Sequence, residues 1–272
     1  MDEKILGSWL YQKTWELYPP GVESAIVESP MLKEVMSCRI GLVHGHRFAF
    51  YFWSKFDLDY SKAAVSCKDT KPLLVSIDFH DDVGVESSLK KAELEALNRS
   101  SDAELGFYCW LRLPQLNDGQ ILPALYLNYF SDAFILHKQD SGSWRDVKTV
   151  DQLGREHSIR YFREAESLVE AVESAESQPI YLDVDLDYFV SKSSSDRIGA
   201  GQLVPENEIR KTLKLTRNPM SSIYPRLVGL TIAIEPRYCG GLKNSLFTLG
   251  ILNDEFFGGT LLTDDTRWNR QY

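Results

Sequence analysis

Pro72-Leu73-Leu74-Val75-Ser76-Ile77 runs straight into Asp78-Phe79-His80-Asp81-Asp82, and the change recurs where Pro179-Ile180-Tyr181-Leu182 meets Asp183-Val184-Asp185-Leu186-Asp187. Each stretch opens as a short apolar run without polar alternation, the pattern of a strand buried on both faces. Residues 39–43 (RIGLV), 133–136 (AFIL) and 228–234 (VGLTIAI) repeat that pattern. Residues 48–56, 86–98, 164–174 and 206–215 have helical spacing between them. Such strands alternating with helices predict an α/β fold, three-layered α/β/α around a mostly parallel central sheet. No internal repeat or long linker interrupts residues 39–272, which are expected to form one domain. Residues 1–38, with Trp9, Trp15, Tyr18 and Pro19-Pro20, are expected to be an N-terminal extension packed on that core. Its role stands open between a flap, an edge extension and a homo-oligomer contact.

Parallel α/β sheets bind ligands outside the carboxyl ends of their strands. Three predicted strands deliver acids and imidazoles to that end: RIGLV is followed by His44-Gly45-His46, PLLVSI by residues 78–82, and PIYL by residues 183–187. In extended backbone, residues i and i+2 share a face, so Asp78, His80 and Asp82 converge, as do Asp183 and Asp185. Clustered carboxylates raise each other's pKa unless a cation compensates. Mixed imidazole and carboxylate donors suit zinc, manganese or iron, and six such groups exceed the needs of one ion. Carboxylates that bridge would serve two ions about 3.5–4 Å apart.

These units resemble the metal signature of the arginase/deacetylase (ureohydrolase) superfamily: a His at one strand end, D-x-H-x-D at another and D-x-D at a third. Residues 43–53 (VHGHRFAFYFW), 121–136 (ILPALYLNYFSDAFIL) and 182–189 (LDVDLDYF) are similar to segments of its peptide arginase branch. The resemblance spans about residues 39 to 240. It implies an arginase-like catalytic domain holding two Mn2+ ions, one by His46, Asp78, Asp82 and Asp183, the other by His80, Asp78, Asp183 and Asp185. The implied reaction is hydrolysis of the guanidino group of arginine in a peptide, giving ornithine and urea. Asp82 would carry a proton and Glu235, ending the run GLTIAI, would bind the guanidinium. This chain departs from the pattern in having His44-Gly45 where the branch has an acidic pair, which leaves His44 as a further catalytic candidate. Its third motif is one residue shorter than in arginases, so Asp187 is expected to support the site or cap a helix. The alternatives are a ureohydrolase for free arginine, agmatine or another small guanidino compound, a zinc amide deacetylase, and a degenerate scaffold that binds a partner.

Composition narrows the partners. The chain carries 30 basic and 39 acidic side chains, a formal charge of −9, and has no Lys/Arg stripe to replace phosphate counterions, so nucleic acid is not expected as ligand. No apolar run approaches the ~18–20 residues of a membrane span. Cys38, Cys67, Cys109 and Cys239 form no C-x-x-C pair, and Met1-Asp2-Glu3-Lys4 lacks the pattern of a secretory signal, so a cytoplasmic protein is expected. The polar surroundings of His137 and His157 predict surface positions. The aromatic run 48–53 predicts a helix buried against the sheet rather than a wall of a peptide cleft. Asn117-Asp118-Gly119 predicts a turn after the helix bearing Trp110, bordering the site.

Overall fold

The computed structural model describes residues 21–28, 30, 37–63, 70–85, 89–139, 144–175, 178–191 and 201–263. In chain order its main elements are β1 (Val22–Glu28), β2 (Ser37–Val43), α1 (Ala49–Ala63), β3 (Leu73–Asp78), α2 (Lys91–Glu95), α3 (Asp102–Leu111), α4 (Ile121–Tyr126) and β4 (Ala133–His137). There follow β5 (Val147–Val150), β6 (Glu156–Phe162), α5 (Ala165–Ser174), β7 (Ile180–Asp185), β8 (Val190–Ser191), β9 (Gln202–Leu203), α6 (Glu206–Leu213), α7 (Met220–Ile223), β10 (Leu227–Ala233) and α8 (Leu242–Phe257). Eight strands form one sheet in the order β1-β2-β10-β7-β3-β4-β6-β5. The six inner strands are parallel, and β1 and β5 close the two edges antiparallel. Buried apolar residues lie on both faces, one cluster including α1, α3 and α4 and the other α5, α6 and α8. The fold is α/β with a large, mostly parallel sheet flanked by helices, compatible with three layers.

All six residues of β3 and of β7 are buried, as the apolar runs predict. The aromatic segment becomes α1, with Phe50, Tyr51, Phe52 and Trp53 fully buried. Burying each such ring contributes roughly 1.5–3 kcal/mol. Two strand glycines let the helix lie directly on the sheet: a Cβ at Gly41 would sit 2.4 Å from the Phe52 ring, and one at Gly229 2.6 Å from Phe56. The helix bearing Trp110 is α3, whose first turn is capped by Ser101 Oγ accepting from Glu104 N–H.

The chain continues from β3 to its neighbour β4 on one side, and from β7 to its neighbour β10 on the other. Because β3 and β7 are themselves adjacent, the direction of strand order reverses between them, and a crevice opens at their carboxyl ends. This is the feature of the fold that makes the site.

Some expectations need correction. The boundary at residue 38 falls inside β2, while β1, within the expected extension, is an edge strand of the sheet, one of the roles left open for it: Ile26 pairs with Arg39 and Val22 with Val43. The polar patterns of β5 and β6 hid two strands, since an edge strand needs little apolar surface and β6 buries only His157, Ile159 and Phe162. The helix expected over 86–98 is the short α2. Residues 1–20 and 86–88 lie outside the described residues, as does Cys67.

His137 and His157 are buried rather than exposed. His157 lies beside Ser131 O through Nδ1 and has Asp151 3.5 Å from Nε2. His137 closes β4, pairs in register with Asp78 and is boxed by Trp144 and Tyr161, with neither ring nitrogen hydrogen-bonded. Burial, then the neighbouring Arg163, lowers its pKa to about 4. An unfolded His titrates near 6.5. Between these values only the unfolded chain takes up the proton, so stability falls as pH drops from about 6.5 towards 4. His137→Phe keeps the ring shape and removes the titration. Urea unfolding at pH 5 is expected to show the variant more stable than wild type, with a smaller difference at pH 7.5. A difference that does not change with pH would refute the assignment.

Candidate metal centre

Four strand ends meet at the crevice. β3 terminates in Asp78, and the chain turns through Phe79-His80-Asp81 to Asp82, which adopts a positive φ of 50°. β7 terminates in Asp185 and passes into a 3-10 turn over Leu186–Phe189, capped by the Asp185 carboxylate accepting from Asp187 N–H at 2.9 Å. β2 leads through His44-Gly45 into a second 3-10 turn, His46–Phe48. β10 leads to Glu235, whose φ of 29° is rare for a residue with a side chain. Asn117, in the turn after α3, has φ 61°. Such backbone values cost free energy and gather at functional sites.

His46 is at the centre and fully buried. Its Nδ1 lies 2.6 Å from Asp82 Oδ2, 3.1 Å from Asp78 Oδ2 and 3.2 Å from Asp185 Oδ2. In spite of these approaches, neither His46 Nδ1 nor Asp78 Oδ2 has a hydrogen bond of acceptable geometry among the described residues. On the opposite side of the ring, Nε2 lies 2.8 Å from Asp183 Oδ2. Next to this group, His80 Nδ1 is 3.4 Å from Asp187 Oδ2 and 3.8 Å from Asp78 Oδ1. Among the described residues, two groups have ligand atoms all within 4.8 Å of one another: His46 with Asp78 and Asp185, and Asp78 with His80 and Asp187. Asp78 belongs to both. His80 is the most open member, with its side chain 33% exposed.

Burial and then the charge of Asp78 push the Asp82 carboxyl well above the usual range, and burial with Asp187 does the same to Asp185. Burial alone would lower the pKa of His46, but Asp183 and Asp82 outweigh it and raise it. The protein gathers like charges in a dry place and orphans two polar atoms there. A divalent cation among them relieves both costs.

Of the expected residues, the structure brings together His46, Asp78, His80, Asp82, Asp185 and Glu235. Neither ligand group includes Asp82, Glu235 or Asp183; Asp82 lies at Nδ1 of His46 and Asp183 at its Nε2. Asp183 lies one residue pair deeper along β7, in register with Ser76 on β3 and Thr231 on β10, and both hydroxyls donate to it. Of the three acids of this segment, Asp185 belongs to the first ligand group and Asp187, in the 3-10 turn, to the second. Asp187, expected as a supporting or capping acid, sits in the second group and accepts from Phe79 N–H at 3.2 Å, while the capping falls to Asp185. His44 is exposed and outside both groups; its carbonyl accepts from Glu235 N–H and so holds the strand end. Glu235 is buried at the rim, accepting from His46 N–H at 2.7 Å and from Asn117 Nδ2. The loop around Asn117 thus borders the site as expected.

The sequence reading missed Gln120, fully buried and donating from Nε2 to Asp82 Oδ2. It also missed the paired hydroxyls of Ser76 and Thr231. A polar residue inside an otherwise apolar strand, as both are, was the available signal.

Fold and site define a class: an α/β protein with a buried carboxylate–imidazole cluster, able to hold metal ions, at the switch point of a mostly parallel sheet. No family model and no curated protein matches this chain.

Proposed function

We propose that this protein is an arginase-like dinuclear hydrolase that removes urea from arginine side chains of a peptide, leaving ornithine. The observation that carries the reading is the pair of ligand groups sharing Asp78, with the Glu235 carboxylate beside them. The donor set fits the cation: mixed imidazole and carboxylate ligands suit manganese, and the unpartnered His46 Nδ1 and Asp78 Oδ2 point where an ion would be held. His46, Asp78, Asp82 and Asp185 would hold one ion, and Asp78, His80 and Asp187 the other.

When bound, divalent cations at this place would supply a water activated as nucleophile near neutral pH. The chain's own residues supply the rest. Glu235, with one oxygen tied to His46 N–H and Asn117, can turn its charge on a guanidinium, whose planar donors match a carboxylate. Asp82, to which Gln120 donates a hydrogen bond, would take a proton and pass it to the leaving nitrogen. Water adds its oxygen to the guanidinium carbon, the bond from that carbon to the side-chain nitrogen breaks, and ornithine and urea result.

Incubating manganese-loaded protein with arginine-bearing peptides is expected to lower the peptide mass by CH2N2 per converted residue, with urea released in equal amount. No mass change across varied peptides and free arginine would refute the reaction. Amide-capped arginine peptide is expected to exceed free arginine in kcat/KM by about tenfold or more. The segment after Asp82 opens Val83-Gly84-Val85 and has no Asn/Ser-His-Gly pattern for binding α-carboxylate and α-amine charges. A higher kcat/KM for free arginine would end the peptide reading and leave the hydrolase reading in place.

A further inference from the structure

Asp183 is as deeply buried as His46, yet lies on the wrong side of the imidazole to share an ion with Nδ1. We propose that Asp183 is a positioning residue: it holds His46 in the one tautomer and rotation that offer Nδ1 to a cation, through a buried chain Trp53–Thr231–Asp183–His46. This inference rests on the metal-centre reading and not on the urea-releasing reaction.

An imidazole ligates through a nitrogen without a proton, so the proton must sit on the other nitrogen, and the group facing that nitrogen decides. Once an ion engages the carboxylates that crowd Nδ1, the Asp183 carboxylate 2.8 Å from Nε2 remains as the acceptor for the ring proton, which assigns that proton to Nε2 and leaves Nδ1 to the ion. The carboxylate cannot swing away. Ser76 Oγ donates to Oδ2 at 2.8 Å, and Thr231 Oγ1 donates to Oδ1. Thr231 in turn accepts from Trp53 Nε1 at 3.3 Å, which leaves its own proton free to point at Asp183. Ser76, Thr231, Asp183, Trp53 and His46 all have no exposed surface, so water does not compete for these bonds. Sheet register supplies the precision. Ser76 and Thr231 are the partners of Asp183 on its two neighbouring strands, and Trp53 comes from the helix pressed onto that face by Gly41.

The test is Mn2+ titration by calorimetry with 15N-edited NMR of His46 in the zinc-loaded protein, on wild type, Asp183→Asn, Thr231→Val and Asp185→Asn. Asp183→Asn is expected to keep the wild-type number of ions with affinity about 10- to 100-fold weaker. Its Nε2–H resonance should move upfield or be lost. Thr231→Val should weaken affinity less, at the same ion number, and it carries the test should Asp183→Asn fail to fold. Asp185→Asn should bind fewer ions. A lost ion in Asp183→Asn would make Asp183 a ligand and overturn the proposal. Unchanged affinity with an unchanged resonance in Asp183→Asn and Thr231→Val would also overturn it. A wild-type protein that binds no ion overturns the metal-centre reading together with this one. Absence of urea release bears on the reaction alone, since neither readout depends on turnover.

Discussion

Asp78→Asn is expected to abolish turnover and to leave at most one weakly held ion per chain. Asp78 is the residue common to both ligand groups, and its Oδ2 is one of the two buried polar atoms at the site without a partner. Removing one member of a buried, charge-compensated set costs roughly 3–5 kcal/mol, about 150- to 5,000-fold in metal affinity. Stability separates this loss from simple misfolding. With a chelator present the variant should still melt cooperatively but lower than wild type, because burial of the Asp78 carboxyl is outweighed by His46 and then His80, and a carboxylate held below its usual range stabilises the folded chain. With Mn2+ present the wild type should gain thermal stability, since an ion that binds only the folded chain shifts the equilibrium towards it, and the variant should gain almost nothing. Metal analysis and melting curves together decide the point. Two tightly held ions in Asp78→Asn would end the dinuclear assignment.

Glu235→Gln is expected to keep both ions and lose most of kcat/KM. The amide oxygen of Gln can still accept from His46 N–H and Asn117, so the turn over the site survives. Its NH2 group then faces outward and meets a guanidinium donor to donor. Losing a hydrogen bond to a charged group costs about 1.5–3 kcal/mol, or roughly 10- to 150-fold. The buried acid also repels its neighbours: burial and then Asp185 hold the Glu235 carboxyl well above its ordinary range. The exchange should therefore not weaken metal binding. Wild-type turnover in Glu235→Gln would move the search for the cation-binding group to another acid near the crevice, with Asp118 on the neighbouring turn as the first to test. Loss of metal would instead make Glu235 part of the ion-binding set.

The fold class and the end of the sheet carrying the site were legible in the sequence. Apolar runs that stop abruptly in Asp and His can only be buried strands opening onto a polar crevice, and 72–82 and 179–187 both read that way. Asp78, His80 and Asp82, and the pair Asp183 and Asp185, were candidates from that local spacing, whereas His46 and Glu235 were singled out by the resemblance to ureohydrolases. What the sequence could not decide was depth. Asp183, Asp185 and Asp187 form an evenly spaced series, and spacing alone does not say which pair reaches the crevice. The fold does: pairing sets Asp183 between Ser76 and Thr231, against His46 Nε2, while Asp185 and Asp187 fall in the two ligand groups. The same holds for His44 and His46, two residues apart, of which the 3-10 turn after β2 buries only the second. It holds too for Asn117 and Gln120, which lie far along the chain from Glu235 and Asp82 and meet them only because α3 and α4 pack on the face that α1 covers. Side-chain alternation is a property of neighbours in sequence, whereas strand pairing and helix packing join residues a hundred positions apart, so the residue types at the site could be read locally and their roles only from the folded chain.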